Sequence, residues 1–129
     1  MAGLLAAAEA GDDAGFKAHV TDAFYAYDGG KRFDAAGLLS VVKLAQASGK
    51  KYEWSVTEPE VHVACNWAWI AYVNKGSVTD ASGRQELIWL ESAILTYQGG
   101  YWRVEFLHST RASGLCFCSG ALAILLYTF

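Results

Sequence analysis

Gly99-Gly100 restricts the fold more than any other feature, because it separates two long β-prone runs, residues 86–98 and 101–110. Adjacent glycines can both take the positive φ of a tight turn, so the runs read as a hairpin. With the glycines at the centre, Gln98 faces Tyr101, Tyr97 faces Trp102, Leu95 faces Val104, Ala93 faces Phe106 and Glu91 faces His108. Directly opposed residues project from the same face of a sheet. One face should therefore carry Trp89, Glu91, Ala93, Leu95, Tyr97, Trp102, Val104, Phe106 and His108. The other should carry Leu90, Ser92, Ile94 and Thr96 with Arg103, Glu105 and Leu107. A carboxylate beside an imidazole on an apolar surface is the clearest functional clue. Glu91 could hold His108 in one tautomer as a general base, or the two could form a buried pair that anchors the sheet.

Two more strands precede this hairpin. Glu60–Ala64 and Trp67–Val78 flank a turn at Cys65-Asn66, which sets Val63 against Ala68, Val61 against Ile70 and His62 against Trp69. A link at Asp80-Ala81-Ser82-Gly83 then brings Tyr72 opposite Glu91. Tyr52, Trp54 and Val56 alternate with Glu53, Ser55 and Thr57 as a strand, and Pro59 marks an edge or bulge. Upstream, Leu4–Ala10 reads as a helix, and Asp12 or Asp13 caps a short second one. Phe24–Tyr27 and Lys31–Phe33 form a strand pair about Asp28-Gly29-Gly30. Asp34 caps a third helix with Leu38, Val41, Val42 and Ala45 on one stripe, ending near Gly49.

The expected class is α+β, with three N-terminal helices packed on a strongly curved antiparallel sheet. Residues 1–111 form this domain and 112–129 an apolar tail. The outer sheet face, with Trp67, Trp69, Ile94 and Leu107, is too apolar to be left wet and calls for a homodimer partner. The sixteen uncharged residues 114–129 fall short of a standard membrane span and lack basic flanks, so no membrane partner is expected.

A net charge of −3 without basic runs argues against nucleic acid. Three cysteines, Cys65, Cys116 and Cys118, indicate neither a disulfide framework nor a metal site, and no cofactor is implied. An N-terminus without a basic region is a poor signal peptide, and the reduced setting expected is cytoplasmic. Five Trp and seven Tyr suit a lined cavity or a large interface. Tyr25, Tyr27, Trp54, Tyr72, Trp89, Trp102 and Phe106 are the candidates to stack against a flat hydrophobic ligand.

The order of elements, the early Ala-Gly-Asp-Asp and the ending Glu-Ser-Ala-Ile-Leu…Gly-Gly-Tyr-Trp-Arg-Val-Glu-Phe-Leu-His-Ser-Thr-Arg resemble the nuclear transport factor 2-like, cystatin-like superfamily. The SnoaL-like and ketosteroid-isomerase-like branch fits best. The association domain of calcium/calmodulin-dependent kinase has a similar Gly-x-Trp…His-x-Ser ending. The resemblance covers roughly Leu4 to Arg111 and implies a conical homodimer whose pocket holds small organic molecules in some members. It leaves activity open between proton-transfer chemistry, of isomerase or dehydratase type, and a non-enzymatic binding or oligomerisation module. The isomerase's catalytic set is a tyrosine with two acidic residues. Asp28 lies in about the region of its base, yet Tyr-Asp-Gly-Gly also reads as a plain turn.

Overall fold

A computed structural model describes residues 1–112, so the expected role of the tail lies outside the described residues. Helices α1 (Ala2–Ala10) and α2 (Asp13–Ala18) lead into strands β1 (Val20–Asp28) and β2 (Lys31–Asp34). Helix α3 (Ala35–Ala47) follows, then β3 (Lys51–Glu53), β4 (Val56–Ala64), β5 (Trp67–Asp80), β6 (Gly83–Gln98) and β7 (Tyr101–Arg111). The class is α+β, but α3 comes after the first strand pair and α2 is only six residues long.

The helix starts are set by local chemistry. The Asp12 side chain accepts from the Gly15 amide at 2.9 Å and Asp34 from the Gly37 amide at 2.7 Å, satisfying donors that a helix N-terminus leaves open. The sheet runs β2-β1-β7-β6-β5-β3, with β4 pairing the other half of β5. It is curved and unclosed. All neighbours are antiparallel except β1 and β7, which run parallel and join the first strand to the last among the described residues.

The core lies between the helices and one sheet face. Leu4, Phe16 and Leu39 meet Phe24, Ala26, Ile70, Tyr72, Ala93, Val104 and Leu107, with Phe16 edge-on to Phe24 at 6.0 Å. The α3 stripe is less buried than its spacing implies. Val41 and Leu44 remain exposed, because the helix stands off the sheet and a cavity lies beneath it.

Several registers are as the sequence reading has them. Val63 pairs with Ala68, His62 with Trp69, and Tyr72 with Glu91. Near the Gly-Gly turn, Tyr97 pairs with Trp102 and Leu95 with Val104. A bulge then intervenes, so Ile94 pairs with Phe106, Ala93 with Leu107, Ser92 with His108 and Glu91 with Ser109. One residue inserted on β7 flips every side chain beyond it to the other face. The expected Glu91–His108 neighbourhood is therefore corrected. Glu91 is buried on the helix side, while His108 is exposed on the outer side. Leu107, expected outside, is instead 7% exposed in the core.

The expected strand through Tyr52, Trp54 and Val56 is broken at Trp54-Ser55. The Trp54 amide donates to the Glu9 carboxylate of α1, and the Ser55 amide donates to Asn74 Oδ1 at 2.9 Å. Those side-chain acceptors replace the missing ladder bonds. The break turns Trp54 inward, where it stacks on Tyr52 at 5.1 Å. Pro59 lies within the register shift between Thr57 and Glu60.

Candidate functional site

A cavity of about 370 Å³ opens between α1, α3 and the sheet. Its walls are apolar, from Leu4, Leu38, Leu39, Val42, Trp54, Leu87 and Trp89. A row of polar side chains crosses four adjacent strands in register; Asp28, Ser109 and Glu91 of this row line the cavity, and Tyr72 is buried beside Glu91. Asp28 on β1 pairs with Ser109 on β7, Ser109 with Glu91 on β6, and Glu91 with Tyr72 on β5. This row crosses the sheet at one level, so Asp28 and Glu91 sit two strand spacings apart, about 10 Å between α-carbons. Only the parallel β1–β7 contact brings Asp28 into line.

The hydrogen bonds around Glu91 have fixed directions. Asn74, 1% exposed, uses Oδ1 to accept from the Ser55 amide, so its amino group must face Glu91, 3.4 Å from Oε2. A backbone amide can only donate, which settles the orientation of the carboxamide. Glu91 Oε2 is therefore an acceptor. Ser109 Oγ lies 2.9 Å from Oε1. Oε1 accepts from the Ser109 hydroxyl when Glu91 is ionised, and a proton held by Glu91 belongs on this oxygen rather than on Oε2. The Tyr72 hydroxyl lies against the same carboxylate, yet makes no hydrogen bond of ordinary geometry among the described residues.

Electrostatics follow from this burial. Removal from water pushes the Glu91 carboxyl above the usual carboxylate range; the adjacent Tyr72 hydroxyl and the bonds from Ser109 and Asn74 oppose the shift, and the Asp28 charge adds to it. Burial also raises Asp28, against a lowering backbone bond from Gly29. Burial, then the neighbouring Glu91 charge, makes Tyr72 harder to ionise than a free phenol. The arrangement can hold one proton on Glu91 and offer a second carboxylate nearby. Two carboxylates poised differently can act as acid and base. Among the described residues, no group of three His, Cys, Asp or Glu side chains could hold a metal ion.

The other expected site residues divide. Trp54 and Trp89 line the cavity, and Tyr72 lies buried beside Glu91. Tyr25, Tyr27, Phe106 and His108 instead cluster on the outer face, Tyr25 to Phe106 at 5.0 Å and Tyr27 to His108 at 6.0 Å, with Arg32 4.4 Å over Tyr25. Trp102 lies tilted against Tyr97, 5.3 Å between ring centres, at the far end of the hairpin, away from the cavity. Three polar liners, Asn74, Ser109 and Arg111, carried no signal in the sequence reading. Asn74 and Ser109 were legible in principle, as inward-facing neighbours of Tyr72 and Glu91 once the bulge is known.

No family model matches the sequence, and no curated protein matches it. Solved structures do. Rv3472, a function-unknown protein from Mycobacterium tuberculosis, is 15% identical with a TM-score of 0.78, over 94% of this chain and 77% of that one. A proposed dehydratase of the NTF2-like family from Streptomyces avermitilis is 13% identical with a TM-score of 0.73, over 88% and 91%. The association domain of CaMKII from C. elegans is 18% identical with a TM-score of 0.67, over 83% and 86%. At such identities the likeness is one of fold.

Proposed function

The chain has the nuclear transport factor 2-like fold, and from that premise we propose that its cavity binds a small hydrophobic carbonyl compound and moves a proton on it. The observation that carries this reading is the pair of carboxylates, Asp28 and Glu91, at one level of a cavity walled by aliphatic and aromatic side chains, with Tyr72 buried beside Glu91. Asp28, the less buried acid, takes a proton from the carbon next to the carbonyl. Glu91, protonated on Oε1, and the Tyr72 hydroxyl are the donors available to the oxygen as the enolate forms. Return of the proton to another carbon gives isomerisation; loss of a β-hydroxyl gives dehydration. His108 has no part in this scheme, since its ring faces outward.

The test is exchange of α-protons of 4-phenylcyclohexanone in heavy water, followed by proton NMR. The parent should exceed the buffer rate. Asp28→Asn and Glu91→Gln should each lose at least about tenfold, while His108→Gln should match the parent. No acceleration by the parent would remove the proton-transfer reading.

A second reading is a homo-oligomerisation module, favoured by the outer face, where Trp67, Trp69, Ile88 and Leu90 stay exposed. Trp69 stacks on His62 there at 4.2 Å, and His62 meets Glu60 at 3.0 Å. If copies meet through this face, Trp69→Glu should reduce the sedimenting mass to one chain. An unchanged mass would place the contact elsewhere. The readings are compatible, because the cavity and the outer face lie on opposite sides of the sheet.

A further inference from the structure

The cavity is graded along the strands. One end is the Asp28–Ser109–Glu91 row. Two residues along, about 7 Å, comes a row of Arg111, Trp89 and Asn74. Beyond lie Gly76 opposite Leu87 and Val78 opposite Gln85, and Lys50 stands just before the Lys51–Thr79 pair. Lys50 and Arg111 both line the cavity and are exposed, so the open end carries two cations.

Like Lys17, Lys31, Arg32 and Arg103, these two cations form no ion pair with a carboxylate among the described residues, whereas Lys43, Lys51, Lys75 and Arg84 each have a carboxylate partner within 4 Å. Asp80 also lines the mouth as a carboxylate, held by the Ser82 amide at 2.8 Å and the Ser82 hydroxyl and attracted by Lys50, so it offsets one of the two cations. The mouth therefore has an excess of positive charge, the interior two acids, and aromatic and aliphatic walls between.

We propose that the ligand is an elongated apolar acid whose anionic group rests at the mouth against Arg111, assisted by Lys50, while a neutral oxygen at its other end reaches Glu91. This rests on the reading of the cavity as a ligand site and adds the ligand's charge and direction of entry. An anion pushed inward would meet the Asp28 carboxylate, so only one orientation satisfies both ends. Arg111 offers a forked donor suited to a carboxylate. A cavity of about 370 Å³ is within the range that holds small organic molecules.

Three probes of one shape separate the possibilities by calorimetry near neutral pH: a hydroxybiphenyl carboxylate with its groups at opposite ends, its methyl ester, and the matching aminomethyl compound. The acid should bind about tenfold tighter than the ester, the amine most weakly. Arg111→Gln should abolish the acid's advantage and leave the ester's affinity unchanged. Lys50→Gln should remove a smaller part, and added salt should weaken the acid alone. Binding of the ester as tight as that of the acid, or tightest binding of the amine, overturns the proposal and leaves the cavity reading standing. So does an Arg111→Gln variant that weakens acid and ester alike. No binding by any of the three overturns both.

Discussion

Alanine at Gly76 should cost about 3 kcal/mol or more of stability, and lower the melting temperature by roughly 10 °C. Gly76 is buried in β5, where the end of β3 crosses it. A methyl group there would be driven into the Glu53 carbonyl oxygen, and would also stand 3.1 Å from the Trp89 ring. The obstacle is backbone and cannot rotate aside, so relief means lifting β3. That would strain the pairs Lys51–Thr79, Tyr52–Val78 and Glu53–Ser77, and draw Trp54 out of the cavity wall. Urea denaturation of parent and variant measures the cost, and Trp fluorescence should report the altered surroundings of Trp54 and Trp89. Parent-like stability would mean that β3 does not lie over Gly76.

Glu91 should show the second large effect, as a dependence of stability on pH that glutamine removes. Its carboxyl is raised in the folded chain, so the native state keeps a proton that the unfolded chain has already released. The contribution is fully present below the unfolded pKa of about 4.3, and is lost as pH rises through the folded value. Glu91→Gln copies the protonated form: its carbonyl accepts from Asn74 and its amino group donates to Ser109. At neutral pH this variant should exceed the parent in stability, and the gap should close below about pH 4. Glu91→Ala should instead lose about 2 kcal/mol, because Asn74 and Ser109 are stranded. Urea titrations across pH, taken as differences between variant and parent, cancel the opposite trends of Glu53 and Asp80, whose carboxyls are held low by Arg84 and Ser82. A gap that widens on acidification would refute the protonated Glu91.

How much of this was legible in the residues depends on the range of the interaction. Local chemistry was readable: the Asp12 and Asp34 caps, the Gly-Gly turn, and the tight link that sets Tyr72 against Glu91 all follow from neighbours in sequence. The bulge on β7 was not. Both registers keep Leu95 opposite Val104, and the choice is made further along. There Leu107 rather than Phe106 fits beneath the helices, and Phe106 joins Tyr25 and Tyr27 outside. Hairpin symmetry alone therefore put His108 on the wrong side. Asp28 was ambiguous for a related reason. It ends β1 before a glycine turn, as its setting suggests, and it also faces the cavity, which becomes apparent only once β7 lies beside it. The break at Trp54-Ser55 depends on Glu9 and Asn74, distant acceptors that strand alternation does not register.

The parallel seam between β1 and β7 has a bearing on biosynthesis. Contacts between distant parts of a chain are the slow ones to form. Asp28 leaves the ribosome early and has no acidic companion until Ser109 has been made and docked beside it. A nascent chain that ends before β7 thus lacks both the paired acids and the wall that β7 gives the hollow, so any ligand taken up there must wait for that strand.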